Sequence, residues 1–358
     1  MQAASGRDAP DRCPGAVQVH EAADGGLARV RLPGGRLTAA QLLVLRSAAA
    51  ELGDPVLELT SRGNVQVRAL RPGAATELAA RLDDAGLLPS ATHERVRNII
   101  ASPLGGPATR RLVEEFDALL CATPELAALP GRFLATVDDG RGDVTPLGGD
   151  VGLHGSRLVL AGRPAGRDGG AKLLVEAALA FLAERAAQDS RAWRLSELDD
   201  GPARVAARLG TQVTAPPVER CDPPAAGAHG AAAVLVVPLG LLTGEQSAAL
   251  ANAAEEIIVT PWRTVVVPAA AVDEAVAAGL VADPTSPWAG VTACAGRPGC
   301  AKALADVRAD ARSAVAAGER EPGALPVHWA GCERRCGAPR GRHVEMVATP
   351  TGYRSAVA

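Results

Sequence analysis

Two pairs of cysteines sit close together near the end of the chain: Cys294-x5-Cys300, then 31 residues, then Cys332-x3-Cys336. Four thiolates at such spacing suit a zinc ion or an iron–sulfur cluster. Structural zinc pairs usually have about two to four residues between ligands, so a gap of five weighs against zinc. The loop CAGRPGC is rich in glycine, which lets backbone amides turn toward the sulfurs of a cluster. The run AKALADVRADARSAVAAG that follows has helical composition, and a helix starting there would offer its positive end to an anionic cluster. On spacing alone, zinc and four unrelated buried thiols stay open as alternatives. The other three cysteines, Cys13, Cys121 and Cys221, are scattered. An odd total without a secretion signal argues against a disulfide framework.

A second set of chemically capable residues lies in VLELTSRGNVQVR (56–68), read here as one strand. Thr60, Arg62, Asn64, Gln66 and Arg68 alternate along it and would share one face. Two guanidiniums among amide and hydroxyl groups suit recognition of planar carboxylates. A solvated strand edge is the plain alternative.

The elements that must position these residues follow from an internal repeat. LTAAQ (37–41) and LTGEQ (242–246) are both Thr-x-x-Gln capping boxes that open helical patterns. Each helix is followed by a strand, at 56–68 and 257–268, and then by a second helix, around 74–85 and 270–278. Gly86-Leu87-Leu88 matches Gly279-Leu280-Val281, RNIIASPLGG (97–106) matches AGVTACAGRPGC (289–300), and LPGRF (129–133) matches LPVHW (325–329). Chance similarity between alanine-rich segments is the alternative, but five landmarks recur in the same order. The halves are then about 15–215 and 230–358, joined by TAPPVERCDPPAAGAHG (214–230). AGRPAGRDGGA (161–171) reads as a surface loop. Strands and helices mix without regular parallel alternation, which is an α+β pattern. In this alignment Cys294 falls opposite Ser102, and Cys332 and Cys336 fall opposite Thr136 and Gly140. The polar row falls opposite Thr260, Trp262, Thr264 and Val266. One half keeps an anion-binding face and the other a thiolate set, so a single shared active site is expected.

The composition excludes several classes. With 358 residues and 47% hydrophobic content, two or three packed domains are possible, but aromatics are 2%, so Ala, Val and Leu must fill the core. A net charge of -3 gives no footprint for nucleic acid. No apolar run reaches membrane-spanning length. The opening MQAASGRDAPDRCPG has no apolar signal core, so a cytoplasmic protein with reduced cysteines is expected.

The cysteine pattern, taken with Thr60-Ser61-Arg62-Gly63-Asn64-Val65-Gln66, resembles the sulfite/nitrite reductase superfamily over nearly the whole chain from about residue 13. The segments RCPG (12–15), RLPGGRLTAAQ (31–41), LTSRGNVQVR (59–68), VTACAGRPGCAKALADVRADA (291–311) and PVHWAGCERRCG (326–337) resemble the precorrin-3B synthase family within it. The resemblance implies ferredoxin-like half-modules at 1–90 and 231–285, a reductase-like α/β domain at 91–213, the linker at 214–230, and a cluster domain at 286–358. It implies a [4Fe–4S] cluster on Cys294, Cys300, Cys332 and Cys336. It also implies an oxidoreductase that hydroxylates precorrin-3A at C20 with dioxygen and closes a γ-lactone in aerobic cobalamin biosynthesis. Non-haem iron is the family's further cofactor, and of the six histidines His154 and His328 are the better ligand candidates. Arg62, Arg97 and Arg132 match family residues that bind tetrapyrrole carboxylates; Asn64 and Gln66 accompany Arg62. The second member of the basic pair containing Arg132 is replaced by Leu134. There is no Gly-x-Gly-x-x-Gly turn between strand and helix. Electrons from NADH are therefore expected through a separate reductase or ferredoxin. A sirohaem-dependent sulfite or nitrite reductase is the first alternative, and a zinc-stabilised binding module the second.

Overall fold

The computed structural model describes residues 13–214, 218–319, 324–339 and 341–358. The polar opening up to residue 12 and residues 215–217 of the expected linker lie outside them. The chain divides into two compact units that do not follow the two repeated halves. The larger comprises Val17–Val30, Arg36–Leu87 and Ala225–Ala358. The smaller comprises Arg31–Gly35 and Leu88–Pro224, with the described residues up to Ala16.

In the larger unit, two antiparallel five-stranded sheets carry the half-modules. The first runs in the order His20–Ala22, Gly25–Val30, Val65–Leu70, Leu57–Leu59, Leu241–Leu242. The second runs Gly227–His229, Ala232–Val236, Thr264–Pro268, Glu256–Val259, Arg36–Thr38. The last strand of each sheet comes from the other half of the repeat. Leu241 sits opposite Glu58, and Thr38 sits opposite Glu256. Each exchanged strand leads into a helix, Ala39–Leu52 or Gly244–Ala253. Both helices begin with a complete capping box: Thr38 with Gln41, and Thr243 with Gln246. These boxes are local in sequence, which is why the repeat could be read from them. The strand exchange is a long-range pairing and left no such mark.

Two expectations fail here. The stretch 161–171, read as a surface loop, carries strand Arg163–Asp168. Residues 56–68 are a hairpin rather than one strand, with strands Leu57–Leu59 and Val65–Leu70 on either side of a turn. Thr60 Oγ1 accepts the amides of Arg62 and Asn64 at 3.3 and 3.1 Å, and Gly63 takes φ 65°. Thr60, Arg62 and Asn64 therefore belong to a turn and do not share a strand face with Gln66 and Arg68. The second half repeats the turn: Thr260 Oγ1 accepts the amides of Trp262 and Thr264 at 3.2 and 3.3 Å.

The rest of the larger unit is a sheet of parallel strands Val291–Ala293, Val327–Ala330 and Val344–Thr349, finished by antiparallel Gly352–Val357. Trp329 packs edge-on against Tyr353 at 4.9 Å in its apolar core. The smaller unit uses the same plan. Parallel strands Ile99–Ala101, Ala135–Asp138 and Val151–His154 are extended by antiparallel Arg157–Leu160 and Arg163–Asp168. All three phenylalanines of the chain, Phe116, Phe133 and Phe181, are buried there, so this core is not built from small aliphatics alone. Strand register corrects part of the repeat alignment. Ile99 pairs with Ala135 as Val291 pairs with Val327, so Ala135 corresponds to Val327. Ser102 still matches Cys294, but Cys332 and Cys336 now match Gly140 and Val144. Among the described residues no helix is long and apolar enough to cross a membrane.

Candidate active site

All four paired cysteines border one cavity of about 710 Å³ within the larger unit. The parallel sheet brings them there. Cys294 directly follows Val291–Ala293, and Cys332 lies just beyond the neighbouring strand Val327–Ala330, so both emerge at the carboxyl ends of adjacent parallel strands. Such strand ends are where open α/β sheets bind ligands. The amide of Cys294 donates to Trp329 O at 2.9 Å, and the amide of Gly331 donates to Cys294 Sγ at 3.2 Å. Gly331 has no room for a side chain: a Cβ there would lie 2.6 Å from that of Ala303. The helix after Cys300 starts later than its composition implies, at Val307, with Asp306 capping the amide of Ala309 at 3.1 Å. An acidic cap, rather than open amides, therefore occupies that helix start.

No three of the described cysteine sulfurs lie within 4.8 Å of one another. A tetrahedral zinc site with Zn–S near 2.3 Å would need all four at about 3.8 Å from each other. Four thiolates around one cavity also suit a larger group whose metal atoms each take one thiolate. Burial pushes the Cys336 thiol up; Arg334 opposes this, while Cys294, Cys332 and Cys300 add to it.

The wall of the cavity is basic. Arg29, Arg68, Arg263, Lys302, Arg308 and Arg334 line it, against the carboxylates Glu21 and Glu58. Glu58 ties this wall together. It forms an ion pair with Arg308, lies 3.5 Å from Arg68 Nε, and accepts from Gln66 Nε2 at 3.1 Å. Burial works against the charge on Arg68, but Glu58 and Asp24 outweigh it and hold its pKa above the ordinary arginine value.

The site residues expected from sequence are distributed unevenly. The four cysteines and Gln66 border the cavity; Arg62 and Asn64 stand in the adjoining turn, outside its lining. Arg97, Arg132 and His154 belong to the smaller unit. Arg97 is buried and makes a two-pronged bond to Asp117, at 2.8 and 2.7 Å. Arg132 is exposed and lies over the ring of Trp193 at 4.7 Å. His154 Nδ1 is 3.3 Å from Asp138 Oδ1. Asp138 accepts the amides of Gly140, Gly142, Val144 and Thr145 and the Thr145 hydroxyl, so its oxygens are committed to shaping a loop. His328, in the larger unit, is fully buried. Its Nδ1 meets the Thr292 hydroxyl at 2.9 Å. Burial, with Arg263 and His343 adding to it, pushes its pKa down to about 3, so it is neutral near pH 7. His343 and Glu345, two positions apart, form a further pair at 3.7 Å that sequence reading missed. Glu58, Arg263 and Arg308 were also missed. The only local signal was Glu58 sitting two residues before Thr60, in alternation with the polar row.

The geometry can be set beside known proteins. Residues 20–85 match the family model for the nitrite/sulfite reductase ferredoxin-like half domain. The chain is 29% identical to a precorrin-3B synthase from Sinorhizobium sp, over 95% of this chain and 81% of the relative. It is 26% identical to a ferredoxin–nitrite reductase from Synechococcus elongatus, over 88% of this chain and 74% of the relative. The solved structure of the NirA protein of Mycobacterium tuberculosis superposes with a TM-score of 0.72 at 22% identity, covering 93% of this chain and 73% of that one. The exchanged half-modules, the paired parallel sheets and these matches agree: the chain has a sulfite/nitrite reductase-like fold, and residues 20–85 match the ferredoxin-like half domain of that family.

Proposed function

We propose that the chain is a precorrin-3B synthase, a dioxygen-dependent monooxygenase that hydroxylates precorrin-3A at C20 and closes a γ-lactone. The observation that carries this reading is the cavity itself, where four cysteines meet six cationic side chains. A [4Fe–4S] cluster on Cys294, Cys300, Cys332 and Cys336 fits the donor set around the cavity and the amide that Gly331 directs at Cys294 Sγ. When bound, the cluster supplies single electrons, which a separate ferredoxin or NADH-fed reductase delivers.

The residues of the chain account for binding and placement. A precorrin carries many acetate and propionate groups. Arginines hold such groups strongly when water is excluded. Lys302 and Arg334 border the cavity as further cations, and Arg62 stands in the adjoining turn. A non-haem iron fits less well. Among the described residues, the one close group of candidate ligand atoms is Asp138, Asp139 and Asp143 in the smaller unit, where Asp138 is already committed to its loop. His154 Nδ1 lies 3.3 Å from Asp138 Oδ1, and His328 Nδ1 lies 2.9 Å from the Thr292 hydroxyl.

The sirohaem-dependent alternative is disfavoured by Leu134. This residue stands where the family keeps a base and is 2% exposed, within the smaller unit. Visible spectra of protein purified without air separate the readings. We expect broad iron–sulfur absorption, with about four iron and four sulfide per chain. Added sirohaem bands would favour the reductase, and stoichiometric zinc without sulfide would contradict both.

A further inference from the structure

We infer that Glu58 and three arginines, Arg68, Arg263 and Arg308, form a charged clamp that positions the cysteine loops and sets the reduction potential of the group they hold. This rests on the cluster proposed above and assigns positioning residues to it.

Each arginine grips the backbone at or beside a different cysteine. Arg308 Nε donates to the carbonyl of Cys294 at 3.3 Å. Arg68 Nη2 donates to the carbonyl of Gly299, just before Cys300, at 2.8 Å. Arg263 Nη2 donates to the carbonyl of Gly337, just after Cys336, at 2.9 Å. The three come from separate elements: strand Val65–Leu70, the turn of the second hairpin, and helix Val307–Ala316. Glu58 joins two of them directly, paired with Arg308 and 3.5 Å from Arg68, and it lines the same cavity as Arg263.

Arg263 is the most specialised of the three. It holds φ 60° at the turn position where the first half has Gly63 at φ 65°. A residue with a side chain is strained in that left-handed region. Strain of this kind persists where the surroundings over-determine it, and it gathers at functional sites. The surroundings here are two glycines. A Cβ on Gly240 would lie 2.6 Å from Arg263 Cδ, and a Cβ on Gly337 would lie 2.6 Å from its Nη2. Both glycines leave the passage through which the guanidinium reaches the cavity.

The charges do not cancel. Even with Asp24 counted, which binds Arg68 Nε and Nη2 at 3.0 Å each, three guanidiniums meet two carboxylates. Reducing a thiolate-bound cluster adds one negative charge. A fixed positive charge close by favours the reduced form, more so away from bulk water. Arginine keeps its charge throughout the accessible pH range.

The test is a reductive titration of the anaerobically purified full chain, with dithionite giving one electron per cluster, followed by electron paramagnetic resonance. Iron and sulfide are assayed for every variant. Glu58→Gln should raise the midpoint potential, Arg263→Gln should lower it, and Arg263→Lys should stay near wild type. We expect each shift to change the oxidised-to-reduced ratio at fixed potential up to about tenfold, which is about 59 mV for one electron. Opposite directions for opposite charges are what a merely structural role would not give. Full clusters with unchanged potentials, or shifts of one sign, would overturn the clamp alone. Cluster loss in both Arg263 variants with a native circular dichroism spectrum would also overturn it, marking Arg263 as structural. A wild-type chain without sulfide would overturn the proposed cluster and the clamp together.

Discussion

Cys336 shows what the site asks of a ligand. Burial and three neighbouring cysteines make its thiolate hard to form on its own. The proposed cluster would offset that penalty, since its metal ions would each take a thiolate. The scattered cysteines are different. Cys121 is partly buried against the core of the smaller unit, and Cys221 is exposed. Cys294→Ser or Cys332→Ser should therefore abolish iron and sulfide binding, while Cys121→Ser and Cys221→Ser should keep both near wild-type levels. Iron and sulfide analysis of the four proteins decides it, and equal loss in Cys121→Ser and Cys294→Ser would refute the ligand assignment. At this scale close spacing in the sequence marked the four cysteines as a set, and all four border one cavity. The sequence said less of Arg97, whose bond to Asp117 depends on how a helix twenty residues away is placed. Nor could it reveal Glu58 and Arg308, which lie 250 residues apart and meet only in the fold.

Among the elements, the capping boxes were legible because a helix start is written in four adjacent residues. The hairpin at 57–70 was not, because alternation along 56–68 also describes an uninterrupted strand. The Gly63-Asn64 step was the signal that should have broken that reading. Turn chemistry decides the point: the Thr60 hydroxyl collects two amides, and Thr260 does the same in the second half. The exchanged strands make the capping boxes matter beyond their own helices, since Thr38 and Thr243 stand where an exchanged strand becomes a helix. Thr38→Ala and Thr243→Ala should each destabilise the chain by about 1 kcal/mol. The urea midpoint should fall in both variants, with the visible spectrum unchanged before unfolding. An unchanged midpoint in both would mean the caps add nothing to the exchanged half-modules.

For the whole molecule, duplication followed by divergence explains how the residues are shared out. The same sheet plan ends in cysteines in one copy and in an acidic loop in the other, where Ser102 stands in the place of Cys294 and donates to Asp143 at 2.5 Å. Burial, with Asp138 and Asp139 adding to it, raises the Asp143 pKa, although the Ser102 bond works against this. The cysteine set is thus present once, and the cavity that it borders is lined by six cationic side chains. The measurement that tests this account most directly supplies the anaerobic holoprotein with precorrin-3A, an electron donor and isotopically labelled dioxygen, and follows the tetrapyrrole by mass spectrometry. The account predicts a product that has gained one labelled oxygen atom, formed only with both dioxygen and donor and absent with Cys294→Ser. Unchanged precorrin-3A in the presence of an intact cluster, with sulfite or nitrite reduced instead, would contradict it.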